Sequence, residues 1–441
     1  MRVKFNTARQ NTVFKFAIAS LLPRSTAILA AFVLTPLIIG RLGFTNFGVW
    51  TLATLIPTLL ASYDFGITYG LINEMSKTYQ RDRHFRNEKI RLGDTQRLLL
   101  MISSLWFIVG SSSIFLYVFG GGGKSEDDPG KLFISLLIAL CIFVLGIPSS
   151  LWQRVQLASE RGHEYVAWEG AGKVLSFLLS LLVLFTFPNL YALIIVTLLP
   201  NVVASYINAK FFVKRNFGQV GFKVKGSLRD VIERNHSLFN SGKYFVVFQI
   251  AYLISTAIDP YMINQFLGTN DVSYLSLARR PFDVLPLIVT LYSTALWPVF
   301  NRLNAGGKVG ELVKLMRRIA WISSAILIAV CFALIIFSEP LYNLLSHGKA
   351  HILPVDLFWI SIRTIALTLA TIFNNYLNAI DYLRQQAWVQ TVAAGVTVVA
   401  KIDENFSDKL KLWVANENRV NVDFGNETEK IVADMVSQYA R

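Results

Sequence analysis

Ten apolar runs, most of them 20 residues or longer, divide this chain, at 13–39, 47–71, 98–119, 132–152, 165–187, 190–213, 244–267, 272–299, 319–337 and 357–380. An eleventh, at 387–400, is shorter. A helix needs about 20 apolar residues to cross a bilayer. Lipid offers backbone groups no hydrogen-bond partners, so every such run must be helical. Only 16% of the residues are charged, less than a soluble surface of this length carries. The sequence therefore specifies an all-α polytopic membrane protein with about 11 transmembrane helices. No small-residue cleavage site follows the first run, which is expected to stay in place as a signal anchor.

The net charge of +14 is of the kind that attracts nucleic acid, but its distribution points elsewhere. Segments that alternate along the chain, beginning with the N-terminus, hold 27 lysines and arginines, against four (Arg41, Lys124, Lys131 and Lys349) in the segments between them. The positive-inside rule then places the N-terminus and the basic loops in the cytoplasm, next to anionic lipid heads. Membrane lipids are the expected partners of these loops, and nucleic acid is not. Cys141 and Cys331 both stand inside apolar runs and lack the neighbours of a redox or zinc site.

The chain uses one phrase twice. "LGFTNFGVWTLA" at 42–53 aligns with "LGTNDVSYLSLA" at 267–278, Gly43 on Gly268 and Gly48 on Ser273. Each stands between apolar runs, after the first run of its half. Each half opens in the same orientation, as parallel repeats related by an axis along the membrane normal do. The expected division is an N-lobe of helices 1–6 at 1–213, a basic linker at 214–243, a C-lobe of helices 7–11 at 244–400, and a polar tail at 401–441. The tail alternates around "ANEN" like a hairpin, then shows helical spacing at Ile431, Met435 and Tyr439. It supplies no twelfth span, as a divergent terminus, a frameshift or a fusion would leave it.

"LTPLIIGRLGFTNFGVWTL", "YDFGI" at 63–67, "FQIAYLISTAIDPYMINQFLG" at 248–268, "LARRPFDVLP" at 277–286 and "TALWPVFNRL" at 294–303 resemble, in order and spacing, the Wzx-type oligosaccharide flippases. These form the polysaccharide transporter branch of the multidrug/oligosaccharidyl-lipid/polysaccharide exporter superfamily. The similarity covers roughly residues 10–390; the tail does not fit it. The resemblance implies two six-helix lobes around a V-shaped lumen, the second incomplete here. It also implies alternating access in a bacterial inner membrane, and an undecaprenyl-diphosphate-linked repeat unit as substrate, for O-antigen or exopolysaccharide synthesis. Coupling to a proton or sodium ion, and neighbouring polysaccharide-assembly membrane proteins, fit the same picture.

Charges at membrane depth are costly and mark function by default. The candidates are Arg24, Asp64, Glu169, Lys173, Asp259, Arg279, Arg280, Asp283 and Arg363. A diphosphate needs cationic partners, and arginine can bind it bidentately. Arg24, Arg279, Arg280 and Arg363 are therefore the expected substrate ligands, and Asp64 and Asp259 the expected coupling carboxylates. Arg24 follows Pro23, which can bend the helix, and its expected intramolecular partner is Asp259. Spacing of four predicts the pairs Glu169–Lys173 and Arg279–Asp283. "SEPLYNLLSHG" at 338–348 has the pattern of an interfacial helix, with Leu341, Leu344 and Leu345 on one side. "GGGG" at 120–123 lacks phosphate-loop spacing, His347 and His351 have no acidic ligand close by in sequence, and no cofactor or metal is expected.

Three other functions compete. A multidrug exporter of the same superfamily would favour unpaired lumen carboxylates over arginines. A peptidoglycan-precursor flippase would carry two further helices. A membrane polymerase or ligase would need a larger outer loop and a nucleophile–base pair, so an enzyme is not expected. Reporter fusions after Asn87 and Gly221 should read cytoplasmic, and those after Gly122 and Gly268 external. A cytoplasmic signal after Gly122 would refute the two-lobe topology.

Overall fold

The computed structural model describes residues 7–60, 67–82, 88–120, 128–217, 231 and 257–379. These residues form twelve α-helices. In the first half they are α1 (Thr7–Leu42), α2 (Phe44–Leu59), α3 (Ile67–Asp82), α4 (Lys89–Phe115), α5 (Pro129–Ala158), α6 (Gly162–Thr186) and α7 (Leu190–Phe217). In the second they are α8 (Asp259–Phe266), α9 (Thr269–Ala305), α10 (Val309–Ile336), α11 (Ser338–Ser346) and α12 (Pro354–Ala379). Seven helical stretches, opening at Ile18, Lys89, Pro129, Gly162, Leu190, Gly310 and Pro354, are long and apolar enough to cross a bilayer. Large apolar side chains such as Ile108 on α4 and Trp321, Ile326 and Phe332 on α10 face outward, as a lipid-facing belt requires.

Several sequence expectations need adjustment. The run at 47–71 is not one helix: α2 ends at Leu59, and Ile67 opens α3. In α3 the buried residues Ile67, Leu71 and Met75 recur every fourth position. That stripe packs α3 on α5, while its end turns polar at Lys77–Asp82. The sixth span runs past 213 to Phe217. Helix α9 spans 37 residues but is not among the seven apolar ones. It carries Asp271, Arg279, Arg280 and Asp283, and packs against α1 and α2 as well as its own half. The helix at 338–346 forms as expected. Its buried face is Ser338, Tyr342, Leu345 and Ser346, whereas Leu344 points out. Tyr342 turns inward because its hydroxyl donates to the Ala278 carbonyl at 2.7 Å. The tail at 401–441, the short run at 387–400 and most of the linker lie outside the described residues.

In the first lobe α5 is the central helix, packed on α2, α3, α4 and α7. Asp128 caps it, accepting from the Gly130 amide at 2.9 Å, with Pro129 opening the first turn. Helix α6 lies between α1 and α7. Close approach is secured by Gly170, where a side chain would meet Leu22 and Pro23 of α1, and by Gly172, where it would meet Asn201 of α7. In the second lobe α9 packs on α8, α10 and α12. One apolar cluster crosses from lobe to lobe, joining Ile38, Phe47 and Leu52 to Val272, Leu277 and Phe282.

The repeated phrase builds the same turn twice. Gly43 and Gly268 adopt φ of 96° and 108°, a conformation other residues rarely take. In each repeat the glycine carbonyl accepts the amide four residues on, from Phe47 in one and Val272 in the other. The two turns then touch each other. Thr45 donates to Asn270 Oδ1 at 2.7 Å, and a side chain on Gly48 would strike the Thr269 carbonyl and Ser273. Thr45 and Asn270, like Gly48 and Ser273, are equivalent positions of the repeat. Equivalent residues meet only on the axis relating two copies. Gly48→Ala is expected to force the lobes apart and cost about 1–3 kcal/mol, as overpacking does, read as a lowered midpoint in thermal unfolding in detergent. Gly310→Ala on α10, where an added side chain would meet nothing within 4 Å, should leave that midpoint unchanged or slightly raised.

Candidate functional site

Among the described residues, hydrogen bonds between the lobes gather at the end of the molecule where Gly43 and Gly268 lie. Ser273 donates to the Phe44 carbonyl at 2.6 Å. Tyr261 donates to the Leu52 carbonyl at 2.6 Å, and Tyr117 to the Tyr261 carbonyl at 2.8 Å. Asn264 donates to the Tyr117 hydroxyl at 2.9 Å while accepting from Thr269 at 2.8 Å. On the far side of α1, His347 contacts the Pro36 carbonyl at 3.0 Å and Lys349 donates to the Ile39 carbonyl at 3.0 Å. Both side chains therefore approach the C-terminal end of α1, where a cation such as Lys349 is favoured. No cluster of metal-ligating side chains occurs among the described residues.

Arg280 lies deeper, about 16 Å along α9 from Thr269 at helical rise. Its Nε donates to Thr35 Oγ1 at 3.1 Å. The Thr35 hydroxyl proton is committed to the Ala31 carbonyl at 2.6 Å, which leaves an oxygen lone pair for the guanidinium. The Arg280 guanidinium carbon is 5.5 Å from both the Phe47 and Trp50 ring centroids. Those rings stack at 6.0 Å and 24°, and Trp50 reaches on to Thr197 of α7. Such aromatic contacts attract a desolvated cation. Arg280 is thus a cation of the second lobe seated in a socket of the first.

The other candidates are placed differently. Arg279 pairs with Asp259 at 3.9 Å, not with Asp283, which is exposed. The turn at Gly268 folds α8 back along α9, so residues nine before and eleven after it come level. Asp259 is therefore engaged by its own lobe rather than by Arg24. Arg24 stands midway along α1, half-buried, with no hydrogen bond or ion pair among the described residues. Arg363 is half-buried on α12, and Asp64 lies outside the described residues. Glu169 and Lys173 pair as expected, at 2.8 Å on α6.

A family model described as polysaccharide biosynthesis protein matches residues 15–304. The chain belongs to that family. It is 20% identical over 338 residues to a Yersinia pseudotuberculosis protein described as "Putative O-antigen export protein", covering 76% of this chain and 75% of that one. Its fold is that of the superfamily expected from the sequence. A lipid II flippase, MurJ, in an inward closed conformation aligns with a TM-score of 0.63 at 14% identity, covering 89% of this chain and 81% of that one. An inward-facing multidrug resistance MATE transporter aligns with a TM-score of 0.53 at 14% identity, covering 93% and 92%.

Within this family member, sequence reasoning singled out Arg280 but missed its socket. Phe47 and Trp50 stood inside the repeated phrase, yet nothing along the chain pairs them with a residue more than 200 positions away. With Thr45→Cys and Asn270→Cys introduced in a Cys141→Ala/Cys331→Ala background, oxidative cross-linking reports closure of the lobes. A cation–π contact of about 0.5–2 kcal/mol corresponds to a roughly 2- to 30-fold change in a two-state ratio. Arg280→Ala should slow the cross-linking within that range, and Arg280→Lys should slow it less. An unchanged rate would show that the socket does not hold the lobes together.

Proposed function

We propose that this protein translocates an undecaprenyl-diphosphate-linked oligosaccharide repeat unit across the bacterial inner membrane by alternating access, its N-terminus in the cytoplasm. The observation that carries this reading is the polar junction of two repeat-related lobes at one end of the molecule, in a chain of the polysaccharide biosynthesis family. The hydrogen bonds and the seated cation of this junction can exchange their partners for water when it opens, and the apolar cluster that crosses with them loses little where lipid covers it. When it opens, the space between the lobes faces the other side of the membrane.

In this reading Arg24 is the primary ligand for the diphosphate, since its guanidinium has no hydrogen bond or ion pair among the described residues. Arg279 and Arg363 contribute further positive charge, and Arg280 serves the substrate only when its socket is released. An incoming diphosphate competes with Asp259 for Arg279, and the carboxylate that loses this partner gains affinity for a proton or sodium ion. Binding of the substrate at one face is thereby linked to a coupling ion, with Asp64 as the second candidate. The arginines weigh against organic cations as cargo, and so against a multidrug exporter.

Arg24→Ala should reduce flipping of a fluorescent lipid-linked oligosaccharide in reconstituted vesicles by more than about tenfold, with insertion unchanged. Arg24→Lys should keep part of the rate, because charge survives while bidentate geometry is lost. Wild-type flipping with either variant would remove Arg24 from the substrate site.

A further inference from the structure

A cavity of about 570 Å³ lies within the first lobe, enclosed by α2, α5, α6 and α7, and none of the roles above uses it. Its volume falls in the range of small-molecule sites. Glu169 and Lys173 line it, 8 and 12 residues into α6, or roughly 10–16 Å along that helix. About a third of each of these side chains faces open space. Charged groups exposed at such depth border a water-filled cavity rather than lipid.

The remaining polar lining is amide and hydroxyl, set beside the apolar residues Ile142, Phe143, Ile147, Leu198 and Val202. Gln153 donates to Ser205 at 2.7 Å, and Ser205 also bonds Ser149 at 2.8 Å. Asn201 commits its amide hydrogens to Ser176 and the Thr197 carbonyl, while its buried Oδ1 has no partner among the described residues. That oxygen is turned toward Gly172 of α6, away from the open space, so the groups left to meet a ligand are the hydroxyls, Gln153 and the Glu169–Lys173 pair.

The charge of the cavity selects among ligands. The pair of Glu169 with Lys173 is neutral overall, so neither a diphosphate nor an organic cation finds net attraction. A polyhydroxylated, uncharged molecule both donates and accepts, and matches a wall that offers carboxylate and amide oxygens beside ammonium and hydroxyl groups. We infer that this cavity is the sugar subsite, holding a saccharide of the lipid-linked substrate while the diphosphate stays with the arginines between the lobes. The inference rests on the flippase reading.

The test uses the full chain in lipid nanodiscs, with binding followed by native mass spectrometry. The probes are undecaprenyl diphosphate alone and undecaprenyl diphosphate bearing one hexose or one N-acetylhexosamine, each common sugar in turn. At least one glycosylated probe should bind about tenfold more tightly than the bare lipid, the worth of one or two hydrogen bonds. Glu169→Gln combined with Lys173→Met keeps side-chain volume and should bring that ratio close to one with the bare lipid unaffected. Equal wild-type affinity for all probes, or an equal loss for both kinds in the variant, would overturn the subsite. Failure of the wild type to bind any probe would overturn the flippase reading, and the subsite with it. A second measurement does not depend on the variant folding: Ser150→Cys in the Cys141→Ala/Cys331→Ala background should be shielded from N-ethylmaleimide by the glycosylated probe and not by the bare lipid. Equal labelling with both would again overturn the proposal.

Discussion

The close approach of Gly48 to Thr269 and Ser273 fixes how the two lobes face each other. With no side chain at position 48, the first turns of α2 and α9 come into contact where the two repeats are equivalent. From that contact, the positions of the other cross-lobe groups follow. Tyr261 falls level with the Leu52 carbonyl, Thr35 with Arg280, and the last turn of α1 with His347 and Lys349. The positive φ of Gly43 and Gly268 lets each preceding helix turn sharply enough to deliver these partners.

What holds the lobes together is set by the lipid around them. Inside a bilayer no hydrophobic force drives one apolar helix onto another, because lipid tails are as apolar as leucine. Polar contacts and tight packing remain. Eight hydrogen bonds cross between the lobes among the described residues. At about 0.6 kcal/mol each in a membrane, they sum to about 5 kcal/mol. A two-state equilibrium moves from 1:99 to 99:1 over roughly 5.5 kcal/mol. The hydrogen-bonded part of the junction is thus on the scale of a two-state equilibrium, beside the apolar cluster that also crosses it.

The helices were legible because lipid leaves a long apolar run no other structure, and the repeat because its glycine positions are dictated by backbone geometry. The pair Glu169–Lys173 was legible since both members lie on one helix face. Arg279–Asp283 had the same spacing and failed, because the Gly268 turn supplies Asp259 as a partner from a second helix, and spacing along one helix carries no information about that. The break after Leu59 was hidden for a related reason. Apolarity continues through α3, but there it is a stripe packed on α5 rather than a coat facing lipid. In α11, Tyr342 displaced Leu344 from the buried face because a phenol can pack and donate at once, and the Ala278 carbonyl was there to receive it.

The two arginines at the heart of the molecule carry the same charge at membrane depth and differ in what faces them. Arg280 has an acceptor oxygen and two aromatic faces, so its desolvation is offset by the protein itself and its charge is spent on holding the lobes. Arg24 has no such compensation among the described residues. A half-buried cation midway along a membrane helix persists only if water or an anion reaches it. Where no protein group compensates Arg24, water does, and an anion arriving there would exchange with water rather than displace a protein partner. Among the described residues that asymmetry separates the two physically: Arg280 favours the arrangement that satisfies it, and Arg24 stays open to the negative charge that the proposed function would bring.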